Sequence, residues 1–303
     1  MKVVHQISEL RQYLAELKRQ VEQKKQGSSP ACVGLVPTMG YLHEGHISLV
    51  QEAKRQTDIV VLSIFVNPLQ FGPNEDYDRY PRDKERDLRI AQENGVDVVF
   101  MPEVQEMYPH QPPDFRVTVS ENLAGKLCGK SRPGHFDGVA TVVLKLFQIV
   151  QPDKAFFGLK DAQQVAVIRR MTEDLNVPVE IVACPTVRES DGLAKSSRNV
   201  YLSGEERSQA TVLYEALKQA EQTARDDMQV TPRQLKNLVT ERIRQAPLAN
   251  IEYVELVQYP SLQELEEDVP LANQEFGTVL MAVAVRFGTT RLIDNVLVSM
   301  KEG

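Results

Sequence analysis

The first thirty residues have the apolar spacing of an amphipathic helix. Leu10, Leu14, Leu17 and Val21 recur at intervals of three or four positions, and Ser8 is a residue type that often caps a helix N-terminus. The following segment, 24–30, is polar and contains a glycine and a proline, which favour a loop. We therefore predict one amphipathic helix that ends near residue 24.

Several later apolar runs lack this spacing and predict strands instead. The run 59–66 is almost continuously apolar and rich in β-branched residues, as is typical of a strand covered on both faces of a parallel sheet. Helical segments separate such runs, and one of them begins near Gly45. The predicted strands are 31–36, 59–66, 96–101, 154–157 and 179–183, and the predicted helices include 83–94, 139–150 and 162–174. This alternation predicts a doubly wound, Rossmann-like parallel α/β domain over residues 1–185.

The pattern changes after residue 185. Polar helical stretches over 209–228 and 232–245 come first, and the strand-like runs 251–257 and 278–285 follow them. Because these two runs can pair antiparallel, we predict a second, smaller α+β domain over residues 186–303.

Composition and charge indicate which kinds of binding partner are unfavourable for this protein. The chain has 303 residues and a net charge of −7 at pH 7, which argues against the broad basic surface that nucleic-acid binding needs. Three widely spaced cysteines indicate neither a disulfide framework nor a zinc site. The apolar runs are far shorter than a membrane span, and the N-terminus lacks the apolar core of a signal peptide. We expect a cytoplasmic protein with small-molecule substrates and without nucleic-acid or membrane partners.

The segment best suited to chemistry joins the first predicted strand to the next helix. It contains His43, Glu44, Gly45 and His46, and thus two of the five histidines in the chain. A helix N-terminus offers backbone N–H groups and a positive dipole to a phosphate, and Gly45 permits close approach. Imidazole N–H groups can donate to phosphoryl oxygens as negative charge develops on them. The alternative, a plain strand–loop–helix junction with two surface histidines, is less favoured because two of only five histidines fall here.

Three further segments have polar groups suited to a phosphorylated ligand. The loop 192–199 has Lys, Ser and Arg donors, and the segment 157–164 places a Lys and an Asp at a helix start. Asn67 and Gln70 follow an apolar strand, at the edge where open α/β sheets bind ligands. Each of these segments alone could be an ordinary surface loop, a capped helix or a turn.

One segment imitates a nucleotide-binding motif without matching it. Residues 125–131 resemble a P-loop, but three residues separate the two glycines where the motif needs four. The segment also does not follow a convincing buried strand. We therefore predict no P-loop, and the glycine pattern of a dinucleotide-binding loop is absent as well.

Taken in order, these segments resemble the pantothenate synthetase (pantoate–β-alanine ligase) family. The similar segments are 36–46, 65–71, 131–136, 158–164 and 196–199, and the similarity returns at 290–295. The two histidines alone are shared by a whole superfamily of nucleotidyltransferases, whereas five ordered motifs are specific. The resemblance implies an AMP-forming carbon–nitrogen ligase of pantothenate and coenzyme A biosynthesis. Pantoate and ATP, normally with Mg²⁺, would form pantoyl-adenylate and pyrophosphate, and β-alanine would then displace AMP to give pantothenate.

The resemblance also implies roles for residues at the nucleotide. His46 would be the proton donor, and His43, Lys160 and Arg198 would be the other catalytic residues, acting on the phosphates. The ATP-binding residues would be Met39, Gly40, Tyr41, Leu42, His43, Glu44, Gly45, His46, Gly158, Leu159, Lys160, Asp161, Val187, Lys195, Ser196, Ser197 and Arg198.

The resemblance implies a second set of residues for the two acids. Gln70 and Gln164 would bind pantoate, and Gln70 would also border the β-alanine site, with Asn67 among the substrate-binding residues. Arg132, together with Arg198, is a candidate for the β-alanine carboxylate. The resemblance implies no metal-ligating residue, and it implies a homodimer.

Three positions depart from the residues usual in the family. Leu159 stands where Glu is common, which removes a carboxylate next to Lys160, and we expect a backbone contact there to preserve activity. Lys195 stands where Met or Leu is common, and its charge should help phosphate binding. Ala162 stands where an aromatic residue is usual, and we expect looser packing under that loop.

Two kinds of alternative stay open at this point. One is another nucleotidyltransferase with the same loops, such as a cytidylyltransferase, which would not need the segment 67–71 or Arg132. A fragment of an aminoacyl-tRNA synthetase is disfavoured by the acidic charge balance. The other alternative is an inactive nucleotide-binding module, which the retained histidines, Lys160 and Arg198 disfavour.

Overall fold

The computed structural model describes residues 1–27, 29–73 and 75–299, and these form two compact units. The first unit comprises residues 1–119, 132–159 and 167–185. The second comprises residues 120–131 and 160–166 and the chain from 186 onward. Residue 28 of the predicted loop and residues 300–303 of the second predicted domain lie outside the described residues. The predicted division into 1–185 and 186–303 stays a prediction, and the two units differ from it in the two short segments.

A six-stranded parallel sheet forms the centre of the first unit. Its strands are β1 (Lys2–Val4), β2 (Val33–Thr38), β3 (Ile59–Ile64), β4 (Val98–Phe100), β5 (Lys154–Gly158) and β6 (Glu180–Cys184). Their order across the sheet is β1-β4-β3-β2-β5-β6, and every pairing is parallel. All six residues of β3 are buried, as the continuous apolar run predicts for a strand covered on both faces. The predicted Rossmann-like fold class is confirmed.

Eleven α-helices are present in the described residues. They are α1 (Ile7–Lys24), α2 (Glu44–Gln56), α3 (Lys84–Glu93), α4 (Val104–Met107), α5 (Glu121–Ala124), α6 (Leu127–Ser131), α7 (His135–Val150), α8 (Ala162–Asp174), α9 (Gly204–Gln209), α10 (Val212–Asp226) and α11 (Pro232–Arg244). None of these helices is long and apolar enough to cross a bilayer. The helix predicted over 209–228 corresponds to α10, and the shorter helix α9, which ends at Gln209, precedes it.

The first helix begins one residue earlier than its predicted cap. Gln6 is the N-cap residue of α1, and its side chain makes no capping hydrogen bond. The backbone N–H of Ile7 donates instead to Glu106 Oε1 at 2.8 Å. The prediction of Ser8 as the cap was therefore wrong, because a side chain from α4 supplies the acceptor that a local residue usually provides.

The order of strands fixes where ligands can bind in the first unit. Strand β2 has β3 on one side and β5 on the other, with Leu35 paired to both Val61 and Ala155. The chain moves outward from β2 through β3 and β4 and then crosses to β5, so the strand order reverses at β2. In open α/β sheets, ligands bind at the carboxyl ends of the strands that flank such a point. Those ends are Thr38 of β2 and Gly158 of β5.

The second unit contains a three-stranded antiparallel sheet. Its strands are β7 (Ala249–Tyr259), β8 (Thr278–Phe287) and β9 (Thr290–Ser299), in that order. Helices α10 and α11 share one apolar core with the sheet, to which Leu217, Val239 and Val283 belong. The predicted antiparallel pairing of the two strand-like runs is confirmed by β7 and β8. The sequence pattern missed β9 because its polar residues interrupt the apolar alternation.

A second apolar cluster explains why residues 160–166 group with the second unit. Ala162 and Ala166, at the start of α8, are buried against Leu262, Leu280 and Ala282. Ala162 is only 3% exposed, so the expectation of loose packing at this position was wrong. A small side chain fits at this position because the start of α8 packs closely against these residues of the second unit.

Candidate active site

The loop after β2 is held in shape by a glycine and a buried carboxylate. Gly40 has a φ of +84°, and a Cβ there would lie 2.9 Å from Asp87 Oδ2. Asp87, on α3, accepts the backbone N–H of Tyr41 at 2.8 Å and of Leu42 at 2.7 Å. Burial raises the pKa of the Asp87 carboxyl, and the two N–H donors partly oppose that rise. The loop therefore enters α2 along one fixed path.

His43 and His46 form a reciprocal cap at the N-terminus of α2. His43 Nδ1 accepts the N–H of Gly45 at 3.1 Å, and His46 Nδ1 accepts the N–H of His43 at 3.3 Å. The ring centroids are 4.1 Å apart. A nitrogen that accepts a hydrogen bond carries no proton, so each neutral ring carries its proton on Nε2. Both imidazoles are thereby fixed as Nε2–H donors, the form that can donate to a phosphoryl oxygen.

Asn67 fixes the turn that follows β3. It is 1% exposed, and its Nδ2 donates to Gln70 Oε1 at 3.1 Å and to the Gly138 carbonyl at 3.0 Å. Its Oδ1 accepts from Tyr108 Oη at 2.9 Å and from the Leu69 N–H at 3.3 Å. Every polar atom of the Asn67 side chain is thus engaged inside the protein. Asn67 therefore orients the side chain of Gln70.

Gln70 lies beside the histidine-bearing loop. Its Nε2 is 3.3 Å from Met39 Sδ, which joins the carboxyl end of β3 to the residue that follows β2. Both residues belong to the first unit, at the edge of the sheet where its strand order reverses. The structure therefore brings the residue predicted for pantoate next to the segment predicted for the ATP phosphates.

Arg132 is engaged by three neighbours. Its Nε and Nη2 donate to the two carboxylate oxygens of Glu75 at 2.6 and 2.7 Å, and Nη2 also lies 3.3 Å from the Gln70 carbonyl oxygen. Its Nη1 is 2.9 Å from His135 Nε2. Since a guanidinium can only donate, His135 Nε2 accepts, and its Nδ1–H donates to the Gln70 carbonyl at 2.8 Å. Arg132 and His135 thus both donate hydrogen bonds to the backbone carbonyl oxygen of Gln70.

The two consecutive glutamines that follow β5, Gln163 and Gln164, differ in their surroundings. Gln163 is 5% exposed, and its amide bonds the Cys128 N–H at 2.9 Å and the carbonyl oxygens of Leu123 and Lys126 at 2.8 and 2.7 Å. Gln164 is half-buried and lies in the first turn of α8. Of the pair, Gln163 therefore links segments of the second unit, and Gln164 is the more exposed residue.

The lysine- and arginine-bearing loop of the second unit follows a short antiparallel bridge. Arg188 pairs with Ala194, and the Lys195 N–H donates to the Val187 carbonyl at 2.9 Å. Lys195 Nζ is 2.8 Å from Glu189 Oε2. Ser196 caps the next 3₁₀ turn by accepting the Arg198 N–H at 3.3 Å. The positive charge of Lys195 is thus paired with the carboxylate of Glu189.

Comparison with known proteins decides the family. The family model for pantoate–β-alanine ligase matches residues 2–297. The chain belongs to the pantoate–β-alanine ligase family. It is 54% identical to a pantothenate synthetase of Caldicellulosiruptor saccharolyticus over 99% of this chain and 100% of that protein. It is 60% identical to one from Geobacillus sp. (strain WCH70) over 87% of this chain and 90% of that protein.

Solved structures of pantoate–β-alanine ligases share the fold. The pantothenate synthetase of Thermus thermophilus is 46% identical, with a TM-score of 0.87 over 99% of this chain and 100% of that one. The ligase of Francisella tularensis, solved as a complex with β-γ ATP and β-alanine, is 35% identical, with a TM-score of 0.75 over 98% and 97% of the two chains. The predicted resemblance and enzyme class are confirmed, and the alternative of another nucleotidyltransferase is not favoured.

The predicted ligase residues are divided between the two units. The first unit contains Met39, Gly40, Tyr41, Leu42, His43, Glu44, Gly45, His46, Asn67, Gln70, Arg132, Gly158 and Leu159, and the second contains Lys160, Asp161, Gln164, Val187, Lys195, Ser196, Ser197 and Arg198. Their individual roles stay predictions. The segment 125–131, which imitates a P-loop, does not follow a strand and contains α6, whose Leu127, Cys128 and Gly129 are buried.

Four residues that organise the site were missed from the sequence. They are Asp87 and Tyr108, which are buried, and Glu75 and His135, which each contact Arg132. Burial raises the pKa of the Tyr108 hydroxyl, which keeps it neutral as a donor to Asn67. Asp87 gave one usable signal, since it is an acidic residue on the inward face of an amphipathic helix.

Proposed function

We propose that this protein joins pantoate to β-alanine at the expense of ATP, through a pantoyl-adenylate intermediate, and releases AMP and pyrophosphate. The observation that carries the proposal is the contact of Gln70 Nε2 with Met39 Sδ at 3.3 Å, because the proposal assigns Gln70 to pantoate and Met39 to the ATP phosphates. The family match over residues 2–297 supports it. So does the Francisella tularensis relative, which was solved with a nucleotide and β-alanine.

The first half-reaction is adenylyl transfer. A carboxylate oxygen of pantoate bonds to the α-phosphorus, the bond from that phosphorus to the oxygen bridging to the β-phosphate breaks, and pyrophosphate leaves. Negative charge grows on the phosphoryl and leaving oxygens, where donors fixed in advance lower the barrier most. His43 and His46, as Nε2–H donors, fit this demand, with His46 as the proton donor. The dipole at the N-terminus of α2 favours negative charge, and Gly45 permits close approach of a phosphate. The backbone N–H groups of Tyr41, Leu42, His43 and Gly45 are bonded within the protein, so the imidazoles are the donors that the proposal relies on.

The second unit would supply the cationic groups. Lys160 would stabilise the five-coordinate phosphorus, and Arg198 would bind the phosphates as a planar donor. Lys195, Ser196 and Ser197 would bind triphosphate oxygens, whereas Val187 and the turn 158–161 would hold adenosine. Leu159, which replaces the usual Glu, would act there through its backbone.

The second half-reaction is aminolysis of the mixed anhydride. The β-alanine nitrogen bonds to the acyl carbon, the bond from that carbon to the adenylate oxygen breaks, AMP leaves, and the amine loses a proton. Gln70 and Gln164 would orient pantoate, with Asn67 holding Gln70 from behind. Arg132 and Arg198 are the candidates for the β-alanine carboxylate, and Arg132 would have to share its guanidinium with Glu75.

The Mg²⁺ ion would enter with ATP as part of the substrate. Among the described residues, no three His, Cys, Asp or Glu side chains group together as a metal site would require. Mg²⁺ commonly keeps several waters and binds through substrate phosphates, so we propose that phosphate and water hold it.

We also propose that the protein is located in the cytoplasm and forms a homodimer. All three cysteines, Cys32, Cys128 and Cys184, are free thiols, which suits a reducing compartment. A homodimer would sediment at about twice the chain mass of 34.2 kDa, and a monomeric mass at micromolar concentration would contradict it.

ATP–pyrophosphate exchange tests the reaction most directly. Exchange of labelled pyrophosphate into ATP is expected only when pantoate is present, because the reversible step forms pantoyl-adenylate. Replacing ATP by CTP should abolish it, which separates the ligase from a cytidylyltransferase. Exchange of pyrophosphate into ATP without pantoate would contradict the assignment of pantoate as the acid that is activated. β-Alanine added to the complete mixture should yield one pantothenate per AMP.

A further inference from the structure

Strand β9 contains two adjacent polar residues that are buried. Asp294 is 2% exposed and Asn295 is 8% exposed. A buried carboxylate or amide is costly unless its polar atoms are hydrogen-bonded, so the partners of such residues reveal what they hold. The segment 290–295 is also similar to the family, yet it contains none of the residues assigned to ATP, pantoate or β-alanine.

Asn295 holds the backbone of the lysine proposed for catalysis. Its Nδ2 donates to the Lys160 carbonyl oxygen at 2.9 Å, across 135 positions of sequence. Lys160 lies in the 3₁₀ turn Leu159–Asp161, immediately before α8. Both residues belong to the second unit. The hydrogen bond therefore fixes the point from which the Lys160 side chain extends.

Asp294 holds the start of the other cationic segment. Its two oxygens accept from Arg188 Nη1 and Nη2 at 2.6 and 2.9 Å, and Oδ1 also accepts the Asn295 N–H at 2.8 Å. Arg188 donates further to the Gly192 carbonyl at 3.1 Å. Its guanidinium carbon lies 3.9 Å from the centre of the Tyr214 ring. Arg188 thus stabilises the Arg188–Ala194 bridge, which lies immediately before Lys195 and the next 3₁₀ turn.

We propose that Asp294 and Asn295 are positioning residues for adenylation: one adjacent pair sets the place of Lys160 through Asn295 and that of the 195–198 loop through Arg188. This rests on the proposed function, which assigns Lys160 and residues 195–198 to the ATP phosphates. The arrangement suits polyphosphate chemistry because Arg188 neutralises the Asp294 carboxylate. The pair therefore positions cations without adding a net negative charge beside the phosphates.

The physical demand for such a pair comes from the lysine itself. A lysine ends in a point charge on a flexible four-carbon stem, so its reach depends on where its backbone is held. A misplacement of about 1 Å at a reacting centre can cost on the order of 100-fold in rate. Loss of the Asn295 donor should therefore slow phosphorus chemistry selectively, and leave chemistry at the acyl carbon nearly unchanged.

The test uses the full-length protein and single-turnover kinetics, whose rate constants do not depend on the active fraction. Asn295→Ala should slow formation of pantoyl-adenylate by roughly 10- to 100-fold. Aminolysis of adenylate already formed on the enzyme should change by less than about 3-fold. Asn295→Leu, similar in size and shape but uncharged and without the donor, should give the same split if the alanine variant folds poorly. Asn237→Ala, an exposed asparagine on α11, is the matched control and should leave both steps unchanged.

Hydrogen–deuterium exchange separates this proposal from the proposed function. In Asn295→Ala, backbone amides of residues 158–164 should exchange faster than in the unsubstituted protein, whereas Asn237→Ala should not alter them. Unchanged exchange there would overturn the positioning role whatever the activity. An equal fall in both half-reactions would overturn it too, since that indicates a general defect. If the unsubstituted protein forms no adenylate from pantoate, the proposed function fails, and the exchange result still decides the positioning.

Discussion

At the scale of single residues, the proton on each imidazole decides what His43 and His46 can do. Both Nδ1 atoms accept backbone N–H groups at the start of α2, and this leaves Nε2–H as the donor on each neutral ring. The sequence predicts histidines near phosphate, but it does not say which nitrogen is used. The capping geometry supplies that choice without any further residue.

Replacing His46 should therefore affect the adenylation step most. His46→Ala removes a positioned donor and is expected to lower the rate of pantoyl-adenylate formation by about 100-fold or more. Rapid-quench measurement of adenylate formation gives the rate. His110→Ala, which removes an exposed histidine, is the control and should be silent. A kcat that barely moves in His46→Ala would mean that the residue only caps α2.

The pair of Glu75 and Arg132 makes stability depend on pH. Burial raises the pKa of the Glu75 carboxyl, but hydrogen bonds and charge from Arg132 outweigh this and hold the pKa below its ordinary value. A carboxyl with a depressed folded pKa stabilises the protein above its unfolded pKa. That contribution is lost as the pH falls through the folded pKa.

Glu75→Gln should show both consequences of this pairing. We expect a loss of about 1–3 kcal/mol in the free energy of unfolding at pH 7, where the charged hydrogen bonds are intact. The difference from the unsubstituted protein should shrink below about pH 4, as Glu75 becomes protonated in both the folded and the unfolded state. The KM for pantoate should rise, because Arg132 loses its orientation on the Gln70 carbonyl. Urea unfolding at both pH values measures the first effect, with the exposed Glu93→Gln as control; equal differences at both would contradict it.

At the scale of elements, the site depends on how closely α7 approaches the turn after β3. A Cβ on Gly138 would lie 2.3 Å from the Leu69 carbonyl oxygen and 2.6 Å from the Gln70 nitrogen. The absence of a side chain there lets Asn67 reach the Gly138 carbonyl at 3.0 Å. A glycine inside a helix costs stability relative to alanine, so this glycine is explained by the close approach.

Gly138→Ala should therefore act on the turn more than on the helix. The added methyl group is expected to destabilise the protein by about 1–3 kcal/mol through overpacking, in spite of the better helix propensity of alanine. It should also raise the KM for pantoate, because the turn that carries Gln70 must move. Thermal unfolding and steady-state kinetics check both effects. Gly204→Ala, with no atom within 4 Å of the added Cβ, should cause neither, and a stabilised Gly138→Ala would refute the close-packing account.

At the scale of the whole molecule, the sequence was most informative where a pattern is local. Strands β2 to β6 and the longer helices were predicted to within a few residues, because an apolar run or a helical spacing is visible in the local sequence. The three-residue strand β1 escaped notice because so short a run has no period. Strand β9 escaped because Asp294 and Asn295 are buried for reasons of hydrogen bonding rather than apolarity.

The candidate site divides in the same way. His43, His46, Gln70 and Lys160 belong to ordered local motifs, so their residue types and spacing can be read without a structure. Asp87 and Glu75 lie outside these motifs, and His135 lies in the segment 131–136 but acts on Gln70 in another segment. Each of these contacts joins residues that are distant in sequence. Asp87 binds a loop 45 or 46 positions away, and such pairings exist only once the chain is folded.

The sequence by itself determined the family, the fold class and the kind of chemistry, since each follows from local periodicity and from motifs in order. Only the tertiary structure decided three points. It showed which nitrogen of His43 and His46 can donate, that Gln163 is bonded within the protein, and that Glu75 pairs with the guanidinium of Arg132. The physical reason is that hydrogen bonds and close packing join groups far apart in the chain. The energy of such contacts depends on distances of a few tenths of an ångström, which no local pattern of residues records.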